Sequence, residues 1–223
     1  MNPLALARLL RLASPALPVG AFSYSQGLEW AVETGAVNDE AAATHWIGSL
    51  LRGNLARFEL PMLAALMQAW QHDDVGRVQR LNAEYLASRE TAELRAESAQ
   101  TGSALRAALA AGEAGDAAPL HAFPILAFPT AFACAAARWQ IPAVEAAVAF
   151  AFSWLENQVT AAIKLVPLGQ SAGQRMLAVL SRDLVAAVDT ALALDGEDWS
   201  NFAPLYAIAS SRHETQYTRL FRS

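Results

Sequence analysis

A nucleophile motif is spelled out at one place in this chain, Gly169-Gln-Ser171-Ala-Gly173. The Gly-x-Ser-x-Gly spacing holds a serine on a sharp strand-to-helix turn, and Asp195 and His213 follow it in the Ser, Asp, His order of α/β-hydrolases. That elbow needs a buried parallel sheet before it, yet only residues 163–166 have the character of a strand, and no glycine-rich oxyanion loop precedes them. The competing reading is structural: Gly169 and Gly173 let a turn and a helix start pack tightly, with Ser171 as the cap. Metal chemistry has less support. His45, His72, His121 and His213 are scattered, none with a second His or Cys at the spacing that aligns ligands on one helical face, and position 217 is Tyr, so His213-Glu214 does not open a zinc-protease motif. Each is expected as a surface or interface histidine. The Gly-Lys-Ser ending of a phosphate-binding loop is missing, so nucleotide hydrolysis by this chain has no support. We expect no catalytic residues, no metal ligands and no cofactor.

Two other stretches are denser in functional side chains than connectors need to be. Residues 14–29 bend the chain at Pro15, Pro18 and Gly20 and interleave Leu17, Val19, Phe22 and Tyr24 with small residues, which reads as a loop packed against something. The last twelve residues carry Arg212, His213, Glu214, Gln216, Tyr217, Arg219 and Arg222 with Leu220 and Phe221 among them. Tyrosine and arginine dominate interface hot spots, so this tail has the composition of a partner surface. A helix end folded back on its own chain fits the same composition.

These residues carry a resemblance. The run Leu12-Ala-Ser-Pro-Ala-Leu-Pro-Val-Gly-Ala-Phe-Ser-Tyr-Ser-Gln-Gly-Leu-Glu29 is similar to the N-terminal signature of UreF, a family of urease accessory proteins. Lys164-Leu-Val-Pro-Leu-Gly-Gln-Ser-Ala-Gly-Gln-Arg175 resembles the family's late-middle motif, and Arg212-His-Glu-Thr-Gln-Tyr-Thr-Arg-Leu-Phe-Arg-Ser223 resembles its tail. The matches stand in the family's order from one end of the chain to the other. They imply a non-enzymatic, all-α homodimer that binds UreD (also called UreH) and with it recruits the GTPase UreG onto apo-urease for nickel insertion. Residues 210–223 are implied to be a tail that orders on partner binding. The resemblance points to Phe22 in the bend and Arg219 in the tail, and the partner surface expected from the two stretches together is Phe22, Tyr24, Ser25, Glu29, Arg212, His213, Glu214, Gln216, Tyr217, Arg219, Leu220, Phe221 and Arg222. Some relatives have Tyr where this chain has Phe22, which leaves that ring a packing or cation–π contact with an arginine and no hydroxyl bond. The bend and tail are expected to adjoin. Gating or activating the GTPase and simply positioning it both remain open. A serine hydrolase built on Ser171, Asp195 and His213, or a general helical adaptor, is the alternative.

Composition bounds the rest. With 223 residues, 54% of them hydrophobic, the chain suffices for one sizeable core, and we expect a single domain over 1–223. A formal charge of −5 with no dense basic run argues against nucleic acid. Cys134, the single cysteine, sits among alanines and reads as a buried small hydrophobe. The most apolar run, 122–137, is shorter than the roughly 20 residues of a membrane span and is broken by Pro124 and Pro129. No export signal is evident, and a cytoplasmic protein is expected.

The elements that must position these residues are read as helices throughout. Apolar periodicity predicts helices over 3–13, from a Ser23 or Ser25 cap to Gly35, from an Asn38 or Asp39 cap through Phe58, and from Pro61 to Asp73. Residues 74–111 read as two exposed amphipathic helices divided near Ser88, and 112–119 as a loop and the best candidate for disorder. Residues 123–138 and 142–164, apolar on nearly every side, should be the central buried pair. A helix over 171–194 and a last one from Ala203, capped by Ser200 or Asn201, complete an all-α bundle of about ten helices.

Overall fold

The computed structural model describes residues 1–112 and 114–223, and among them no strand occurs. Eleven α-helical stretches follow one another: α1 Pro3–Ala13, α2 Leu28–Glu33, α3 Glu40–Leu50, α4 Leu60–Gln71, α5 Val75–Ala87, α6 Ala92–Gly112, α7 Ala114–Ala117, α8 Phe128–Arg138, α9 Ala143–Leu165, α10 Gln170–Ala193 and α11 Pro204–His213. The all-α expectation holds.

The buried centre is wider than a helix pair. In α8 every residue from Pro129 to Ala136 is buried, and α9 buries ten positions, as their apolar character predicts. Helix α4 joins them, with nine of its twelve residues buried and its strongest packing against α8. Alanines on α8 let the helices approach closely, while Phe132, in edge contact with Phe150 at 5.3 Å, fills the space between.

Pro61 acts through the turns before it. Residues Leu51–Glu59 are wound as a π-helix that runs directly from α3 into α4, and Leu60 N–H donates to Leu55, five residues back. A proline in the first turn of α4 has no N–H to offer and crowds the preceding turn, and the wider π winding accommodates it without ending the helix. The same winding brings Glu59 onto the buried side of this element.

Several caps differ from expectation. Helix α2 starts at Leu28 behind Gly27, whose φ of +79° needs glycine and whose missing side chain leaves room for Ala209 and Ser210 of α11. Ser25 still serves the helix, its hydroxyl accepting from Glu29 N at 3.3 Å. Asp39 caps α3 as expected, accepting from Ala42 N. Neither Ser200 nor Asn201 caps α11; Asn201 instead joins Asn54 to the Ser88 carbonyl, tying the π segment to the end of α5. The expected loop over 112–119 is largely helical, with Ala117 and Leu120 fully buried and Asp116 accepting from Trp139 Nε1 at 2.7 Å. Glu113 within it lies outside the described residues.

Candidate functional site

The bend and the tail, 198 residues apart at Ser25 and Ser223, form one clasp. Consecutive left-handed residues, Gln26 at φ +55° and Gly27 at +79°, turn the backbone so that the amides of Ser25 and Gln26 both point at the Ser223 carbonyl oxygen, at 2.6 and 2.9 Å. The Ser25 hydroxyl donates to the same oxygen, and Arg222 N–H donates to the Ser23 carbonyl at 2.7 Å. A positive φ at a non-glycine residue is a cost that persists where surrounding contacts enforce it, as they do at Gln26.

Glu29 is the anchor of the arrangement. One carboxylate oxygen accepts from Leu220 N at 2.6 Å; the other accepts from Phe221 N at 2.9 Å and faces His213 Nε2 at 3.1 Å. The second ring nitrogen of His213 lies 2.7 Å from Glu93, whose other oxygen accepts from Arg219 at 2.7 Å. Glu214 turns back to receive the Ala92 and Glu93 amides, supplying the N-terminus of α6 with an anionic cap.

Helix α6 supplies the bed. Glu93, Glu97 and Gln100 stand on one face of it: Glu97 accepts from the Gln26 amide at 2.8 Å and the Ser223 hydroxyl at 3.3 Å, and Gln100 accepts from Tyr24 Oη at 2.7 Å and Arg222 at 3.3 Å. Burial pushes the Glu97 carboxyl up to about 7, against the lowering effect of its Gln26 and Ser223 hydrogen bonds. Burial likewise raises the Tyr24 phenol. From α9, Trp154 and Asn157 donate to Gln26 and to the Tyr24 carbonyl, and Lys164 stands 5.8 Å from the Phe221 ring. Beneath the bend lies a cavity of about 160 Å³, with Leu12, Leu17 and Phe150 among its apolar walls and Glu59, Tyr85 and Arg89 at its polar end. There Arg89 and Tyr85 each meet a Glu59 oxygen at 2.6 Å.

The expected residues therefore divide. Tyr24, Ser25, Glu29, His213, Glu214, Arg219, Phe221 and Arg222 make bonds or contacts that hold the bend, α6 and tail together. Phe22, Tyr217 and Leu220 face outward at 63, 102 and 66% exposure, with Arg212 exposed beside the clasp and Gln216 bonded only within the tail. The anticipated arginine partner of Phe22 is replaced by a different pair, Lys164 over Phe221, because Arg219 and Arg222 are engaged by Glu93 and Gln100. His213 is fully buried rather than a surface histidine. Glu93, Glu97, Gln100, Gln26 and Lys164 take part in the clasp and were not among the expected residues. Their one signal was the i, i+4, i+7 spacing of the three on α6, which also describes a solvated helix face.

The hydrolase alternative has no geometry. Ser171 is exposed in the first turn of α10 behind Gly169, without acting as its cap, and Asp195 is exposed. Both ring nitrogens of His213 face glutamates. Gly173 is explained by packing, since a Cβ there would lie 2.3 Å from Ile163 Cδ1. Among the described residues no group of three His, Cys, Asp or Glu side chains could hold a metal, and no helix is long and apolar enough to cross a membrane.

Comparison with known proteins agrees with the resemblance. The UreF family model matches residues 37–181. A urease accessory protein UreF from Azoarcus sp. (strain BH72) is 59% identical over 225 residues, covering 99% of this chain and 96% of its own. The UreF proteins of Dechloromonas aromatica (strain RCB) and Alkalilimnicola ehrlichii (strain ATCC BAA-1101 / DSM 17681 / MLHE-1) are 53 and 48% identical, over 99 and 100% of this chain and 98% of each of theirs. The family model covers well over half of the chain and the relatives nearly all of it, and by these matches this chain belongs to the UreF family of urease accessory proteins.

Proposed function

We propose that this protein is a non-enzymatic scaffold of urease maturation in the cytoplasm, a homodimer that joins UreD (UreH) to the GTPase UreG on apo-urease during nickel insertion. The observation that carries the reading is the clasp. Two stretches that resemble the family's signatures, from opposite ends of the chain, share one surface on which Phe22, Tyr217 and Leu220 point outward beside Arg212. Large apolar side chains and arginine, presented on a rigid bed, are what a protein partner uses as anchors. Residues 210–223 then act as a tail whose settled position is the one that the first partner selects. Arg219 is the residue through which the tail contributes to UreG recruitment.

The test is light-scattering chromatography of the chain alone, with UreD, and with UreD and UreG. It uses three forms: the full chain, a chain ending at Glu214, which keeps His213 and the α6 cap, and Arg219→Ala. The full chain should dimerise and take up both partners, while the shortened chain should fail at one step. Arg219→Ala should lose UreG yet stay within about 1 kcal/mol of the parent, because the Arg219 side chain is 40% exposed and its pair with Glu93 is open to solvent on that side. Normal UreG recruitment by Arg219→Ala would remove Arg219 from the scheme, and failure of the intact chain to bind either partner would end it.

A further inference from the structure

We propose that the cavity beneath the bend is a binding site for a small organic cation, a primary ammonium carried on a single ring or a short alkyl body. The inference concerns this chain alone and stands apart from which partners it serves.

Size and shape come first. The cavity holds about 160 Å³. An apolar cavity of about 150 Å³ takes up one benzene ring, so a ligand with a single ring fits this one. Its walls are Leu12 of α1, Leu17 of the bend, Leu55 of the π segment and Leu94 of α6, with Phe128 and Phe150 from α8 and α9. The two phenylalanine rings lie 5.8 Å apart, tilted at 32°, and give aromatic surface to a ring or a cation. Lining residues that keep solvent exposure, Pro15, Phe22, Glu156 and Thr160, mark a mouth between the bend and α9. A concave, mostly apolar space with a few polar groups converging at one end is the form that small-molecule sites take.

The charge at the polar end selects the ligand. Arg89 is engaged by Glu59 at 2.6 Å and Ser88 at 3.2 Å and stacks over Tyr85 at 4.3 Å. Its one nitrogen without a partner, Nε, is closed off from solvent. An entering anion therefore finds no free arginine and meets two carboxylates, Glu59 and Glu97. Glu97 is the group left uncompensated. It accepts from neutral donors, Gln26 Nε2 at 2.8 Å and Ser223 Oγ at 3.3 Å, and among the described residues no cation pairs with it. Burial is the largest influence on its carboxyl and raises it to about 7, while Glu59 and Arg89 act on it in opposite senses. A primary ammonium supplies what this carboxylate lacks, one positive charge and three N–H donors. Glu156, half-buried at the mouth and likewise without an ion pair among the described residues, adds negative potential along the way in.

The test is a ligand series on the full chain, read by titration calorimetry and by NMR amide shifts. Benzylamine should bind saturably at one site, with the largest shifts at Leu55, Leu94 and Phe150. Benzyl alcohol, which has the same shape without the charge, and benzoate, which has the opposite charge, should each bind at least roughly tenfold more weakly, the worth of one charge-assisted hydrogen bond. Glu97→Gln should lose roughly tenfold in benzylamine affinity and take benzyl alcohol as the parent does, which also reports that the cavity is intact. No saturable binding of benzylamine, shifts confined to residues away from the cavity, or benzyl alcohol or benzoate binding as tightly would each overturn the proposal on the unaltered chain. An unchanged benzylamine affinity in Glu97→Gln would overturn it as well.

Discussion

Replacing Glu29 measures the clasp most directly. Glu29 is 7% exposed, and its carboxylate accepts from two backbone amides while facing the His213 ring. Glu29→Gln keeps the shape but turns an NH₂ toward at least one donor, leaving an N–H buried and opposed, at a cost of about 2–3 kcal/mol. Glu29→Ala strands both amide donors and leaves a void beside the buried His213 ring, for about 3–5 kcal/mol. For a chain of this size the larger figure lowers the melting temperature by roughly 6–20 °C. Urea unfolding followed by circular dichroism gives the free energies, and amide exchange at Leu220 and Phe221 shows whether the loss begins in the tail. Glu33→Ala is the control, an exposed glutamate on the same helix expected to stay within about 0.5 kcal/mol. If Glu29→Ala and Glu33→Ala unfold alike, the hydrogen bonds assigned to Glu29 carry no energy and the clasp does not hold as described.

Two further substitutions probe the frame behind the clasp. Arg89→Met should cost about 3–5 kcal/mol in urea titrations, because it removes the cation paired with Glu59 in a buried site, whereas adding Glu59→Leu should recover most of the loss. Gly173→Ala should lower stability by about 1–3 kcal/mol through the Ile163 side chain, and combining it with Ile163→Val, which removes the clashing Cδ1, should restore much of it in thermal melts.

Legibility in the sequence followed the range of the interaction. Apolar periodicity and the Gly and Pro breaks report on residues within a few positions of each other, so α1, α4, α5, α6, α9 and α10 emerged close to their observed limits, while the helix expected through Phe58 ends as α3 at Leu50 and continues as the π segment. The loop expected over 112–119 failed for a reason of the opposite range: its Gly and Asp look like a turn locally, but Trp139 and Arg138 of α8 give Asp116 a buried partner, and Leu120 a core to enter. At Pro61 the sequence signalled a break, but the π winding of the preceding turns accommodates the proline and α3 runs on into α4, which packs on α8.

The site shows the same division. Its residue types, two prolines and a glycine in the bend, then aromatics and arginines in the tail, were determined by the sequence alone, as was the all-α class. Which of those side chains face a partner and which hold the protein together was decided only by the tertiary structure. Glu29 and His213 look like surface residues in any window of sequence and become buried partners because α2, α6 and α11 meet around them. Hydrophobic spacing says which way a helix face points, but a hydrogen bond across 184 residues depends on where two backbones cross, and no local pattern encodes that.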